Sequence, residues 1–254
     1  MMEPMNPILI HENSDRMALT GAAIFAARAK AWVKTKGRFF VAISGGKTPR
    51  QTHRMLAREP FRSEVPWEGV RLFWVDERIV PADHEASNFG AARKDFIERV
   101  PLREHQYHPM PQDPESGAIR YERELLQAFG LKEGQVPVFH LIYLGMGRDG
   151  HTASLFPGEA ALEEKSRLVA AVRGGDPYVE RLTLTLPVLN RAEQIVFMVS
   201  GREKADVTRS VLDRTSPKLP ASKIEPKPGH LTWLLDAEAA AGLSESCVRR
   251  RLQE

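Results

Sequence analysis

Six short apolar runs, separated by helical patterns, constrain this chain more than any other feature: residues 7–10, Phe39–Ile43, 70–75, 138–144, 195–199 and 231–235. Apolar continuity of that length belongs to strands covered on both faces, the condition of a parallel sheet packed between helices. Between the first two runs, Met17, Leu19, Ala22, Ala23, Ala26, Ala29 and Val33 form a broad helical face, with Asn13 or Ser14 placed to cap it. Further helices are predicted around 49–58, 87–99, 115–129 and 202–213. The expected fold class is α/β, a mostly parallel sheet flanked by helices. Residues 182–186 alternate strictly between Leu and Thr, which predicts a strand with one exposed face near the rim. Pro- and Gly-rich loops fall at 59–69, 101–114, 155–159, 173–178 and 215–229. None is long and polar enough to separate domains, and no internal repeat is present, so 1–254 reads as a single domain.

Charge and cysteine usage narrow the partners. Lys plus Arg number 36 against 33 Asp plus Glu, an excess too small to imply a polyanion such as nucleic acid. The balance suits a small anionic substrate, provided a few cations converge on one pocket. Cys247 is the only cysteine, so no intrachain disulfide forms and a reducing, cytoplasmic setting is expected. Nothing around Cys247 resembles a nucleophile's loop. Residues 1–11 lack the apolar core of a signal peptide, and no run approaches the ~18–20 apolar residues of a membrane span.

In open α/β sheets ligands bind beyond the carboxyl ends of the strands, and three strand-end loops here are unusual. The first is Ser44-Gly45-Gly46-Lys47-Thr48-Pro49-Arg50. Its glycines permit close backbone approach, and Thr48-Pro49-Arg50-Gln51 has the capping-box form, with Pro at the first helical position. Free amides at that helix start, the hydroxyls of Ser44 and Thr48, and Lys47 make a phosphate cradle. A plain strand-to-helix turn is the competing reading. It is not a nucleotide P-loop, because Val41 stands where that motif needs glycine.

The second loop is Asp76-Glu77-Arg78. Charges at a strand end are costly to bury unless paired or bound to a ligand. Arg78 suits a phosphate through its planar fork, with Asp76 and Glu77 orienting it or binding sugar hydroxyls. The third loop runs from Gly145 to Gly158 and contains Gly145-Met146-Gly147-Arg148-Asp149-Gly150-His151. Read literally it holds G-x-G-x-x-G, but Pro157-Gly158 stops any crossover helix, and no strand-end acid follows at about 20 residues, so dinucleotide binding is disfavoured. Asp149 and His151, one glycine apart in a loop able to bend tightly, read better as a base and its orienter. A nearby carboxylate fixes the imidazole tautomer and supports the imidazolium that forms on proton uptake.

At these loops the chain resembles the 6-phosphogluconolactonase family. The family pattern is Ser-Gly-Gly-x-Thr-Pro, Trp-x-Asp-Glu-Arg and Gly-x-Gly-x-Asp-Gly-His-x-Ala-Ser-Leu-Phe-Pro-Gly, met here at 44–49, 74–78 and 145–158. Matches continue at 87–90, 181–192, 201–205, 220–222 and 233–236. Lys47 departs from the small or polar residue often found at its position. The resemblance implies hydrolysis of 6-phospho-D-glucono-1,5-lactone in the oxidative pentose phosphate pathway, with no organic cofactor; no His/Cys/Asp cluster has metal-ligand spacing, so no metal is expected. It also implies a fold like that of glucosamine-6-phosphate deaminases and ribose-5-phosphate isomerases. The expected roles are His151 as general base, Asp149 as its orienter, and Ser44, Gly45, Gly46, Lys47, Thr48, Arg78, Arg181 and Lys204 around the phosphate. Two other readings fit the residues less well. A glucosamine-6-phosphate deaminase would carry Phe-Asn-Glu-Pro after its Asp-Gly-His, where this chain has Ser154-Leu155-Phe156-Pro157. A non-catalytic sugar-phosphate sensor would carry a DNA-binding segment, which is not apparent.

Overall fold

All six apolar runs contribute to one seven-stranded sheet, every pairing of which is parallel. The structure is a computed structural model describing residues 7–244; Cys247 lies outside them. The strands are β1 (Ile8–His11), β2 (Phe39–Ile43), β3 (Val70–Trp74), β5 (Tyr107–His108), β6 (Leu141–Leu144), β9 (Gln194–Val199) and β10 (His230–Asp236), in the order β1-β10-β9-β6-β2-β3-β5. From β2 the chain steps outward through β3 to β5, and from β6 outward the other way through β9 to β10. The reversal lies between β2 and β6, where an open α/β sheet leaves a crevice at its carboxyl edge. A second sheet, β4 (Asp76–Arg78), β8 (Val179–Leu184) and β7 (Val169–Gly174), is antiparallel. It hangs from that edge, with Leu184 N donating to Val75 O at 2.8 Å.

The helices are α1 (Ser14–Lys36), α2 (Lys47–Leu56), α3 (Phe61–Glu64), α4 (Asn88–Asp95), α5 (Gly117–Phe129), α6 (Leu186–Leu189) and α7 (Ala205–Leu212). Asn13, not Ser14, caps α1, accepting from Arg16 N at 3.0 Å, and Gly37 ends it at φ 72°. No helix among the described residues is long and apolar enough to cross a membrane.

Several local expectations are corrected. Thr48 does not cap α2. That helix starts two residues earlier than expected, at Lys47 behind Gly46, and the Thr48 hydroxyl is drawn across to Ser200 Oγ at 2.7 Å. Pro49 then sits third, still within the first turn, where no intrahelical N–H is required. The strand expected at 138–144 begins only at Leu141, since the His140 ring accepts from Phe40 N at 3.1 Å in place of a ladder bond. The alternating segment ends as β8 at Leu184, and Leu186 opens α6. Neither face of 182–184 is exposed. Leu182 and Leu184 join the core, while the Thr183 hydroxyl accepts from Ser154 N at 3.2 Å and donates to Leu184 O at 3.0 Å. Alternation marked two kinds of buried surface, one apolar and one hydrogen-bonded.

His53 of α2 is fully buried, and neither ring nitrogen has a partner among the described residues. Burial lowers its pKa to about 4, with Arg50 and Arg54 adding to the fall and Asp95 opposing it. In the unfolded chain the ring titrates near 6.5. Stability from the neutral ring is therefore complete above pH 6.5 and is lost as the pH falls towards 4, a loss on the order of 3 kcal/mol. Urea unfolding at pH 7 and pH 4.5 should show this, and His53→Leu should flatten the dependence. His140, stacked on Trp32 at 3.8 Å and also lowered to about 4 by burial, keeps part of the slope in the variant. An unchanged slope in His53→Leu would remove His53 from the account.

Candidate active site

The crevice between β2 and β6 opens into a cavity of about 510 Å³, within the usual range for small-ligand sites. Its floor is the 44–48 loop. The Ser44 hydroxyl donates to Tyr143 O at 2.8 Å, tying the ends of the two central strands together. A Cβ on Gly45 would lie 1.8 Å from Asn88 Oδ1, so only glycine lets that amide in. Gly46 is held at φ 89°, in the left-handed region, and the space where its Cβ would stand is open. The first amides of α2 follow directly, without partners inside the helix.

The Asp76-Glu77-Arg78 loop proves to be a strand, and its charges are paired differently from expectation. Glu77 does not orient the Arg78 side chain. Its carboxylate accepts from the backbone N–H groups of Arg78, Asn88 and Phe89 at 2.8, 2.7 and 2.7 Å, and from the Ser87 hydroxyl at 3.2 Å. It thus staples β4 to the start of α4. Burial pushes the Glu77 carboxyl up to about 7, against those backbone amides. Asp76 accepts from the Ser154 hydroxyl at 2.7 Å, and Asn88 Nδ2 donates to Asp76 O at 2.9 Å. Arg78 donates through Nη1 to Ala86 O at 2.8 Å and lines the cavity.

The 145–158 loop does bend tightly. Gly147 N donates to His151 O at 2.8 Å, Gly150 N donates to Gly147 O at 3.1 Å, and Gly150 stands at φ 77°. The turn brings His151 Nδ1 to 2.6 Å from Asp149 Oδ1, which also accepts from His151 N at 3.1 Å. Burial would raise the Asp149 carboxyl, but the hydrogen bond and charge of His151, with the backbone amides, bring it down to about 2. His151 lines the cavity while Asp149 stands behind it, and the ring packs on Phe156 at 4.8 Å between centroids. The nitrogen not engaged by Asp149 is Nε2.

The dyad folds over Gly147 so closely that a Cβ there would sit 2.1 Å from His151 Nδ1 and 2.5 Å from Asp149 Oδ1. Gly147→Ala is therefore expected to lower kcat by about 10²-fold or more, the scale of a 1 Å misplacement. Its unfolding midpoint must be measured alongside, because Gly147 is buried and the displaced dyad also strains the loop. Full activity in this variant would show that the dyad tolerates displacement.

Arg181 and Lys204 line the same cavity. Arg181 sits on β8 in register with Arg78 of β4. Its Nε and Nη2 donate to Gly174 O and Pro177 O at 2.8 and 2.9 Å, and its guanidinium lies 5.7 Å from the Phe156 ring centroid. Lys204, in a 3-10 turn before α7, donates to Met146 O at 2.8 Å, and burial lowers its pKa. Every cation expected around a phosphate thus lines one cavity, together with Ser44, Gly45, Gly46 and Thr48.

Over residues 12–233 the sequence matches the family described as glucosamine-6-phosphate isomerases/6-phosphogluconolactonase. The chain belongs to this family. It is 41% identical over 217 residues to a 6-phosphogluconolactonase of Synechocystis sp., across 83% of this chain and 87% of that one. It is 38% identical over 246 residues to the 6-phosphogluconolactonase of Homo sapiens, across 93% of each. A solved 6-phosphogluconolactonase of Trypanosoma brucei superposes with a TM-score of 0.85 at 27% identity, covering 95% of this chain and all of that one.

In this member of the glucosamine-6-phosphate isomerase/6-phosphogluconolactonase family, sequence reasoning missed several residues of the cavity. Asp76 was noted, but not the Asn88, Ser154 and Thr183 that hold it and its strand. Arg148 and Glu203 also line the cavity. Asp236, at the end of β10, accepts from Gly201 N through both oxygens at 3.1 Å and fixes the turn that presents Lys204. An acid at the carboxyl end of a strand was the available signal for Asp236, the same signal that drew attention to Asp76.

Proposed function

We propose that the protein hydrolyses 6-phospho-D-glucono-1,5-lactone to 6-phospho-D-gluconate. The observation that carries this reading is the His151–Asp149 pair on the wall of a cavity lined by Lys47, Arg78, Arg181 and Lys204. The names of the relatives support it. A lactone is an activated ester, so the chemistry needs a positioned water, a base and donors for the oxyanion. Asp149 holds the proton on Nδ1, leaving the Nε2 lone pair to take a proton from water as its oxygen attacks the lactone carbonyl. The tetrahedral oxyanion collapses, the C–O bond to the ring oxygen breaks, and the imidazolium returns its proton to that oxygen. The Gly147 amide is already committed to His151 O, so oxyanion stabilisation falls to the other amides and cations of the cavity. The phosphate is anchored by the 44–48 loop, Arg78 and Lys204, with Arg181, two of whose donors are spent on carbonyls, shaping the wall. Binding at that remote end holds the carbonyl against the base. The single cysteine supports a cytoplasmic setting.

Freshly prepared phosphorylated lactone, followed by acid release and corrected for spontaneous hydrolysis, tests the reading. Catalysed opening well above the spontaneous rate is expected. A rate equal to the blank at micromolar enzyme would overturn it.

A further inference from the structure

A second cavity of about 280 Å³ adjoins the first, bounded by Lys47, Arg50, Arg54, Gln51 and Ser14. Ser14, Lys47, Thr48 and Ser200 line both, so the two are continuous across the start of α2. Arg50 and Arg54, one turn apart on α2, share one acid. Arg50 donates to Asp95 through Nε at 2.6 Å and Nη2 at 3.2 Å, and Arg54 donates through Nε at 3.0 Å. Asp95 is only 6% exposed and ends α4. Two guanidiniums on one buried carboxylate are oriented by it but not both neutralised. Arg50 keeps Nη1, and Arg54 keeps Nη1 and Nη2, without partners among the described residues. Lys47 forms no ion pair with any described residue. Three cations therefore line a polar recess, two of them sharing one carboxylate, and on the same lining Gln51 Nε2 donates to Ser14 Oγ at 3.2 Å. A simple staple between α2 and α4 would account for the Asp95 bonds. It accounts neither for the excess positive charge nor for a recess continuous with the phosphate end of the main cavity.

We propose that this annex takes the second phosphoryl group of a compact diphosphate whose first phosphoryl lies on the 44–48 loop, so that such ligands inhibit by bridging the two cavities. The proposal rests on the phosphate reading of that loop. Because Lys47 and Thr48 belong to both cavities, the two phosphoryl groups lie within reach of the same side chains, which favours a pyrophosphate linkage over two phosphates on opposite ends of a sugar. Planar guanidiniums with free Nη donors are suited to the terminal oxygens of such a group.

Calorimetric titration of the whole protein with inorganic pyrophosphate and with orthophosphate, in metal-free buffer at fixed ionic strength, tests this. Pyrophosphate is expected to bind at least about tenfold more tightly than orthophosphate, beyond a pure charge effect. In Arg54→Gln, and separately in Arg50→Gln, that advantage should fall by about tenfold while the orthophosphate Kd stays within about twofold. Thermal unfolding of each variant checks the fold. Equal affinity for the two anions in the wild-type protein overturns the annex without recourse to any variant. So does a pyrophosphate Kd unmoved in both folded variants, which would assign the preference to the main cavity alone. Both constants are measured without turnover, so failure of the lactone assay and failure of the annex are separate results. As a consequence for activity, pyrophosphate should inhibit lactone hydrolysis competitively, and the inhibition should weaken in Arg54→Gln.

Discussion

His151→Ala is expected to fold and to lose about 10²–10⁴-fold in kcat, the usual worth of a positioned general base. KM for the phosphorylated lactone should change far less, because water activation belongs to the transition state and the phosphate contacts remain. The loss must be read after subtraction of the spontaneous rate, which sets the floor. Asp149→Asn should give a smaller loss with the same split, since its partner retains Nε2 but its tautomer is no longer enforced through the 2.6 Å contact at Nδ1. The ring also packs on Phe156, so circular dichroism and the unfolding midpoint must accompany the kinetics. Wild-type kcat in a folded His151→Ala protein would assign the base elsewhere, among the carboxylates of Asp76, Glu203, Asp236 and Glu238 that line the cavity.

Removal of the substrate phosphate is expected to cost at least about 10²-fold in kcat/KM, and Arg78→Ala to erode that preference. Sites whose buried polar groups are left unpaired by an analogue discriminate by up to about 10⁴–10⁵-fold. Lys47 is exposed, and Arg78 and Lys204 are only partly buried, which argues for the lower end. Arg78 has one of its donors on Ala86 O, so its truncation also loosens the segment before α4. The two effects separate in a cycle of two enzymes and two lactones. Loss of a phosphate contact slows the phosphorylated lactone much more than gluconolactone. Loss of the segment's support slows both by the same factor, and that outcome would remove Arg78 from the phosphate end.

Much of the candidate site's geometry was legible because its residues are concentrated in short segments. Asp149 and His151 are two residues apart, and the glycines between and before them dictate the turn that joins them. The 44–48 loop was legible for the same reason, although its helix start was placed two residues late. The charged triplet 76–78 was legible as a place, but the partners of Glu77 were not. Glu77 looked like a partner for its neighbour's guanidinium and instead collects amides from Asn88 and Phe89, eleven and twelve residues on. The charged annex beside α2 was not anticipated, because Arg50 and Arg54 acquire their meaning from Asp95, 45 and 41 residues away.

The sequence by itself determined what depends on period and on near neighbours. Apolar continuity set the strands of the parallel sheet, helical spacing set α1, and glycine placement set the turn beneath the dyad. Tertiary structure alone decided what depends on contacts distant along the chain. Ser44 bonds Tyr143 99 residues away, Thr48 bonds Ser200 152 residues away, and Ser154 bonds Asp76 78 residues away. The antiparallel pairing of 76–78 with β8 turned a presumed loop into a wall of the cavity. It did so because a strand's unsatisfied amides take whichever edge the fold brings alongside. No local pattern encodes which edge that is. The need for glycine at position 45 is of the same kind, since the atom that excludes a side chain there belongs to Asn88.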